Sequence, residues 1–310
     1  MTGTLVFYSE FDDFDQWKRL LLSEIPTLDI QQASAVTAPE KVRYALVWKP
    51  PEHFFQRWPN LELVINLGAG VDALVGRCDL SNIPVTRLSD PNMARMMAGY
   101  VLFAVLRYAR DIPFFEQMQK QARWQYRHPR AAEEIRVGIM GLGELGGTTA
   151  QEVARQGFSV VGWSRTAKQI DGVECHHGMA SLNEFLSRSD ILVIMLPSTP
   201  ETRGLLNDQR LAALPHVANL INVSRGDIVD EPALIASLSS GQIGGATLDV
   251  FAQEPLPESH PLWSMENVLI TPHLASVALP GSAAKQIAAN IQRVNDKQPP
   301  LHCVDLNRGY

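Results

Sequence analysis

The segment Val137-Gly138-Ile139-Met140-Gly141-Leu142-Gly143-Glu144-Leu145-Gly146 constrains this chain more than any other. Its first half is apolar or small and reads as a buried strand, which runs directly into G-x-G-x-x-G. Gly141 permits a tight turn, Gly143 lets the backbone approach a pyrophosphate, and Gly146 lets the next helix pack close to the strand. Residues 148–156 carry a helical pattern, and the start of such a helix offers unbonded N–H groups and a positive dipole end to phosphates. The glycine pattern alone is common, but a strand before it and a helix after it are the context that dinucleotide binding demands. Gly141, Gly143, Glu144, Leu145 and Gly146 are therefore expected at the cofactor.

The following strand, 158–163, ends in Trp163-Ser164-Arg165-Thr166. An NAD-preferring site usually places an Asp or Glu here for the ribose 2′-hydroxyl, and no acid is present. Arg165, with the hydroxyls of Ser164 and Thr166, suits a 2′-phosphate instead. A charged hydrogen bond is worth roughly 1.5–3 kcal/mol, enough for a ten- to hundredfold preference. The plainer alternative is an arginine facing water in a loop. The missing acid and the present base point the same way, to NADP, with NAD as the second possibility.

The rest of the chain repeats the strand-then-helix rhythm of βαβ units. Residues 5–8, 44–48 and 63–67 read as strands and 14–22 as an amphipathic helix. A second α/β region starts at Ile135, with strands at 137–140, 159–163, 191–196, 220–223, 245–249 and 268–271. Between the two lies a long helical pattern, 93–121, which Pro113 should kink or break. Arg123-Trp124-Gln125-Tyr126-Arg127-His128-Pro129-Arg130 follows and reads as a solvated loop rather than a phosphate site. The end looks helical over 279–294 and then extended. A chain of 310 residues has room for two domains, and 45% hydrophobic with 19% charged residues is the profile of a packed globule.

Several partner classes drop out. The net charge of −6 argues against nucleic acid, no window approaches the ~20 apolar residues of a membrane helix, and residues 1–8 read as a strand rather than a signal peptide. Three cysteines without a C-x-x-C pair read as reduced thiols, which fits a cytoplasmic setting. Cys175-His176-His177, adjacent residues in a polar loop, match no familiar metal spacing, so no metal is expected. A small-molecule substrate remains.

Three further segments place polar residues at or beyond strand ends, where open α/β sheets collect ligands. They are Leu220-Ile221-Asn222-Val223-Ser224-Arg225-Gly226, Leu248-Asp249-Val250-Phe251-Ala252-Gln253-Glu254-Pro255, and Ile270-Thr271-Pro272-His273. An arginine is a cation that never titrates and forks onto two oxygens, and a histidine is a proton donor near working pH. Singly, each has a bland alternative: His273 a loop residue, Glu254 a turn cap, Arg225 a partner of Asp227 or Asp230.

Together with the glycine loop these segments resemble the D-isomer-specific 2-hydroxyacid dehydrogenase family over nearly the whole chain. Within it, the glyoxylate/hydroxypyruvate reductase A group is resembled through Leu46-Val47-Trp48-Lys49-Pro50-Pro51, Leu67-Gly68-Ala69-Gly70-Val71-Asp72, Trp163-Ser164-Arg165-Thr166 and Arg308-Gly309-Tyr310. The resemblance implies an NADPH-dependent reductase of small 2-keto acids such as glyoxylate or hydroxypyruvate, with Arg225 binding substrate, His273 donating the proton and Glu254 favouring the imidazolium. It also implies substrate contacts at Trp48, Ala69 and Gly70, and cofactor contacts at Trp163, Leu196-Pro197-Ser198, Val223 and Asp249. The implied architecture is α/β, two Rossmann-like domains with doubly wound parallel sheets. The cofactor domain (101–274) is inserted into a flavodoxin-like substrate domain (1–100 with 275–310), the site lying in a cleft between them. A homodimer is expected. Arg95 and Gly99 depart from the family pattern, Gly99 standing where relatives commonly carry Glu, which leaves substrate choice open. The rival readings are a dehydrogenase for another 2-keto acid, such as pyruvate or a phenylpyruvate, and a nucleotide-sensing protein without catalysis.

Overall fold

The computed structural model describes residues 3–80 and 82–306, so Arg308-Gly309-Tyr310 lies outside the described residues. The chain divides into two compact units: the chain up to Met93 together with that from Val277, and Ala94–Ser276.

In the first unit, β1 (Thr4–Tyr8), β2 (Asp29–Gln32), β3 (Val42–Val47), β4 (Leu63–Asn66) and β5 (Val85–Arg87) form a five-stranded sheet in the order β2-β1-β3-β4-β5. All pairings are parallel. This is the flavodoxin-like order, with the winding direction reversing between β1 and β3. Both faces are covered, so successive residues alternate between two cores. Leu5, Phe7, Tyr44, Leu46, Leu63 and Ile65 pack under α1 (Phe14–Glu24) and α8 (Pro280–Asn295), while Val6, Ala45, Val47 and Val64 pack against Phe54, Phe55 and Trp58. That double burial is why these strands read as continuous apolar runs. Asp13 starts α1 by accepting the N–H groups of Asp15 and Gln16.

The second unit holds β6 (Arg136–Met140), β7 (Ser159–Ser164), β8 (Val173–His177), β9 (Ile191–Ile194), β10 (Ala218–Asn222), β11 (Ile243–Leu248) and β12 (Val268–Ile270). They form a parallel sheet in the order β12-β11-β10-β9-β6-β7-β8, the doubly wound Rossmann order with one more strand. Alternation again sorts the side chains. Val137, Ile139, Val193 and Ile221 pack on α2 (Pro91–Ala109) and α4 (Glu144–Arg155), while Met140, Leu192, Ile194 and Leu220 pack under α5 (Leu182–Ser187), α6 (Asp208–Ala212) and α7 (Glu231–Ser240). The direction of winding reverses between β6 and β9. The carboxyl ends of those strands are the place where such sheets bind ligands.

One local expectation is met and one is corrected. The helical pattern over 93–121 breaks ahead of Pro113: α2 stops at Ala109, Asp111 takes φ 53°, and α3 (Ile112–Lys120) carries Pro113 in its first turn. Continued helix would drive the proline ring into the Ala109 carbonyl, whereas the first turn needs no N–H from it. Cys175-His176-His177 lies on the edge strand β8 and not in a loop. Among the described residues no group of three or more His, Cys, Asp or Glu is placed to hold a metal, and no helix is long and apolar enough to cross a membrane.

Candidate active site

The glycine loop follows β6, and its three glycines meet different surroundings. Gly141 has φ +114°, and a Cβ there would lie 2.6 Å from the Met195 carbonyl oxygen. A Cβ at Gly146 would lie 1.8 Å from the Gly141 carbonyl oxygen. A Cβ at Gly143 would meet nothing within 4 Å. Two glycines thus serve internal packing, and the third leaves open space at the N-cap of the 12-residue α4. Exposed backbone at a helix start is what a pyrophosphate requires, so the loop fits a dinucleotide. Glu144 is exposed and Leu145 half-buried on the first turn.

At the end of β7 the Trp163 indole is buried in the core, with Nε1 donating to the Gly178 carbonyl at 3.0 Å. Ser164 is buried and its hydroxyl donates to the Thr166 carbonyl at 2.8 Å, closing a turn on which Arg165 and Thr166 are exposed. The exposed Glu201 carboxyl is held below its usual range, first by its hydrogen bond with Thr199 and also by the charge of Arg165. In the loop after β9, Leu196 is core, Pro197 is exposed, and the Ser198 hydroxyl donates to Asp227 Oδ2 at 2.7 Å.

Arg225 follows β10. Asn222, 1% exposed, shapes its turn: Oδ1 accepts the Ser224 N–H and hydroxyl, and Nδ2 donates to the Arg225 carbonyl at 3.0 Å. A Cβ on Gly226 would lie 1.9 Å from the Phe251 carbonyl carbon, so only glycine lets this turn lie against the one after β11. Val223 beneath it is core. The carboxylates nearby in sequence are engaged elsewhere. Asp227 pairs with Arg203 at 3.2 Å, and Asp230 caps α7 by accepting the Ala233 N–H.

The structure brings His273 and Glu254 together. Nδ1 of His273 lies 2.8 Å from Glu254 Oε2; a carboxylate only accepts, so Nδ1 carries the hydrogen and Nε2 is the ring atom that can exchange a proton with a substrate. Glu254 Oε1 accepts the Phe251 N–H at 3.2 Å, so the turn-capping role and the pairing role are both real. The two side chains are 26% and 22% exposed, shielded enough for the pair to act as a unit yet open to a ligand. His273 has φ +55°, a strained region for a non-glycine residue. The clamp is Asp249, 1% exposed. Its carboxylate accepts the Thr271 hydroxyl (2.6 Å) and the N–H groups of Leu274 and Ala275 (both 2.9 Å), and its carbonyl accepts the His273 N–H (2.8 Å). Expected as a cofactor contact, Asp249 has its carboxylate committed to the histidine's loop.

The first unit positions a second set. Asn66, 1% exposed at the end of β4, donates through Nδ2 to the carbonyls of Gly68 (2.9 Å) and Gly70 (2.7 Å), fixing the turn that carries Ala69. Trp48 packs over this turn: a Cβ on Gly68 would lie 2.5 Å from its ring. Arg77 forks onto Asp79 (both contacts 2.9 Å) and donates to the carbonyls of Pro50 and Pro51, fixing the segment behind Trp48. Asn66, Asp79 and the Thr271 hydroxyl escaped sequence reasoning. The one available signal was Asn66 itself, a lone amide ending the apolar run Leu63-Val64-Ile65.

Comparison with known proteins agrees with this geometry. Residues 102–275 match the family profile described as D-isomer specific 2-hydroxyacid dehydrogenase, NAD binding domain. The chain is 41% identical over 313 residues to the glyoxylate/hydroxypyruvate reductase A of Yersinia enterocolitica, covering 99% of each. The fold superposes with a TM-score of 0.96, at 60% identity and full coverage of both chains, on a D-isomer specific 2-hydroxyacid dehydrogenase from Xanthobacter autotrophicus Py2 crystallised with NADPH and MES. A TM-score of 0.93, at 33% identity over all of both chains, relates it to an NADPH-dependent glyoxylate/hydroxypyruvate reductase from Sinorhizobium meliloti in complex with NADP and sulfate. This chain therefore belongs to the D-isomer-specific 2-hydroxyacid dehydrogenase family.

Proposed function

We propose that the protein uses NADPH to reduce small 2-keto acids, glyoxylate and hydroxypyruvate first among them, to D-2-hydroxy acids. The observation that carries this reading is the His273–Glu254 pair at 2.8 Å, set in the same unit as the glycine-loop helix start and the Arg225 turn. The full-length likeness to a curated reductase at 41% identity, and to a structure crystallised with NADPH at 60%, supports the substrate class and the cofactor.

The second unit is the cofactor domain. The loop from Gly141 to Gly146, with Glu144 and Leu145, cradles the pyrophosphate. Arg165 and Thr166 hold the adenosine ribose phosphate, on the turn that the Ser164 hydroxyl closes by donating to the Thr166 carbonyl. Pro197 and Ser198 line the rest of the crevice, with Leu196 and Val223 as core behind them and Asp249 holding the loop of His273. NADPH, when bound, supplies the hydride that reaches the keto carbon. Everything else falls to the chain's own residues. Arg225 holds the substrate's carboxylate and carbonyl with a charge that does not titrate. Negative charge growing on the carbonyl oxygen is met by a proton from His273 Nε2, and Glu254 stabilises the imidazolium until then. The ring is left neutral and regains its proton from solvent. The first unit is the substrate domain, and Trp48, Ala69 and Gly70 are the substrate contacts it supplies. A second copy of the chain covers the exposed apolar residues of the second unit: Phe103 and Leu106 on α2, Ile112 on α3, and Trp124 and Tyr126 beyond it.

The test is nicotinamide absorbance with NADPH or NADH against glyoxylate, hydroxypyruvate and pyruvate. Rapid NADPH oxidation with the first two is expected. NADPH binding without turnover of any keto acid would contradict the reading.

A further inference from the structure

We propose that Tyr100 and Thr271 are positioning residues for His273, acting through Asp249; what His273 does chemically rests on the reductase reading above. The tyrosine hydroxyl lies 2.6 Å from Thr271 Oγ1, which lies 2.6 Å from Asp249 Oδ1. The direction of this chain is forced. The carboxylate only accepts, so Thr271 spends its one hydrogen on Asp249 and must accept from Tyr100. Burial holds the Tyr100 phenol above its usual range, with its hydrogen bond to Thr271 opposing, so it keeps the proton it donates.

Asp249 is the point on which the histidine's segment converges. Its carboxylate takes the Leu274 and Ala275 amides, and its carbonyl takes the His273 amide, which also contacts the Thr271 carbonyl at 3.1 Å. A histidine stays at φ +55° only where its surroundings over-determine it. The Thr271 hydroxyl makes the shortest contact to the carboxylate that does so, and Tyr100 anchors that hydroxyl to α2. Neither residue needs to touch substrate. Their joint effect is to fix where Nε2 points.

Three variants test this: Thr271→Val, which keeps shape and loses the hydroxyl; Thr271→Ser, which restores it; and Tyr100→Phe. Misplacing a catalytic group by a fraction of 1 Å should lower kcat by about tenfold in Thr271→Val and less in Tyr100→Phe. NADPH affinity should stay near wild type, Thr271→Ser should recover most of kcat, and the solvent isotope effect should rise as proton transfer becomes limiting. Amide hydrogen exchange at 273–275 should quicken in Thr271→Val and not in Thr271→Ser. Unchanged kcat and unchanged exchange in Thr271→Val would overturn the proposal. So would equal losses in the Val and Ser variants that track a fall in Tm. If the wild type reduces no keto acid, yet exchange quickens as described, the positioning role stands and the reductase reading fails.

Discussion

Gly143 and Gly146 are three residues apart in one loop, and replacing each by alanine should have opposite consequences. At Gly146 the added methyl would sit 1.8 Å from a carbonyl oxygen of Gly141, against an ordinary contact of 3.4–4 Å. That oxygen is backbone and cannot swing aside, so α4 must move off the sheet by more than an ångström, loosening Ala150 and Val153 in the core. Overpacking of this kind costs about 1–3 kcal/mol. At roughly 2–4 °C per kcal/mol for a unit of this size, Tm should fall by about 2–12 °C. At Gly143 the backbone has φ −72° and ψ −164°, which any residue adopts, and the methyl meets no protein atom within 4 Å. Folding should be unharmed or stabilised by about 0.4–1 kcal/mol through the unfolded state. The methyl instead fills the space left for the pyrophosphate, and a loss of about 1.4–2.8 kcal/mol would raise the Kd for NADPH ten- to hundredfold. Thermal unfolding without cofactor, paired with a fluorescence titration of NADPH, separates the two effects. Wild-type NADPH affinity in Gly143→Ala would refute the assignment of the loop. A wild-type Tm in Gly146→Ala would refute the packing argument.

Other expectations follow from single contacts. Arg165→Asp should weaken NADPH about ten- to hundredfold while sparing NADH, and equal loss for both would remove the 2′-phosphate role. The Asp79 carboxyl is held below its ordinary value of 3.8 chiefly by hydrogen bonds from Arg77, outweighing burial. Its folded pKa is depressed, so the stabilisation is complete above that ordinary value and is lost as pH falls through the lower folded one. Asp79→Asn should therefore lower Tm at neutral pH, and the variant should lose less than wild type between about pH 5 and pH 2 by calorimetry. Leu106→Glu should shift a dimeric species to monomer in light scattering, and an unchanged mass would move the interface off α2.

The buried strands were legible because covering a sheet on both faces makes each one a short apolar run, as in Leu63-Val64-Ile65. The strands that escaped notice are edges: β2 reads Asp-Ile-Gln-Gln, β5 has three residues, and β8 carries Glu174, Cys175, His176 and His177. An edge strand exposes one side, so its residues need not be apolar and its pattern dissolves into loop. The glycine loop was readable for a different reason: its constraints are local, each acting within a few residues. Arg225, Glu254 and His273 were reached through family resemblance, since nothing in their own neighbourhoods says that Glu254 and His273 pair across 19 residues. The supporting contacts were unreadable on the same ground. Tyr100 and Thr271 are 171 residues apart, and Asn66 acts on carbonyls, which carry no sequence signal.

His273→Ala, assayed for NADPH oxidation with glyoxylate and hydroxypyruvate and for NADPH binding, tests the central claim most directly. Loss of the proton donor should cut turnover by roughly 10²–10⁴-fold while leaving NADPH binding within a few-fold of wild type. Near-normal turnover would remove His273, and with it the pairing to Glu254, from the chemistry of this protein.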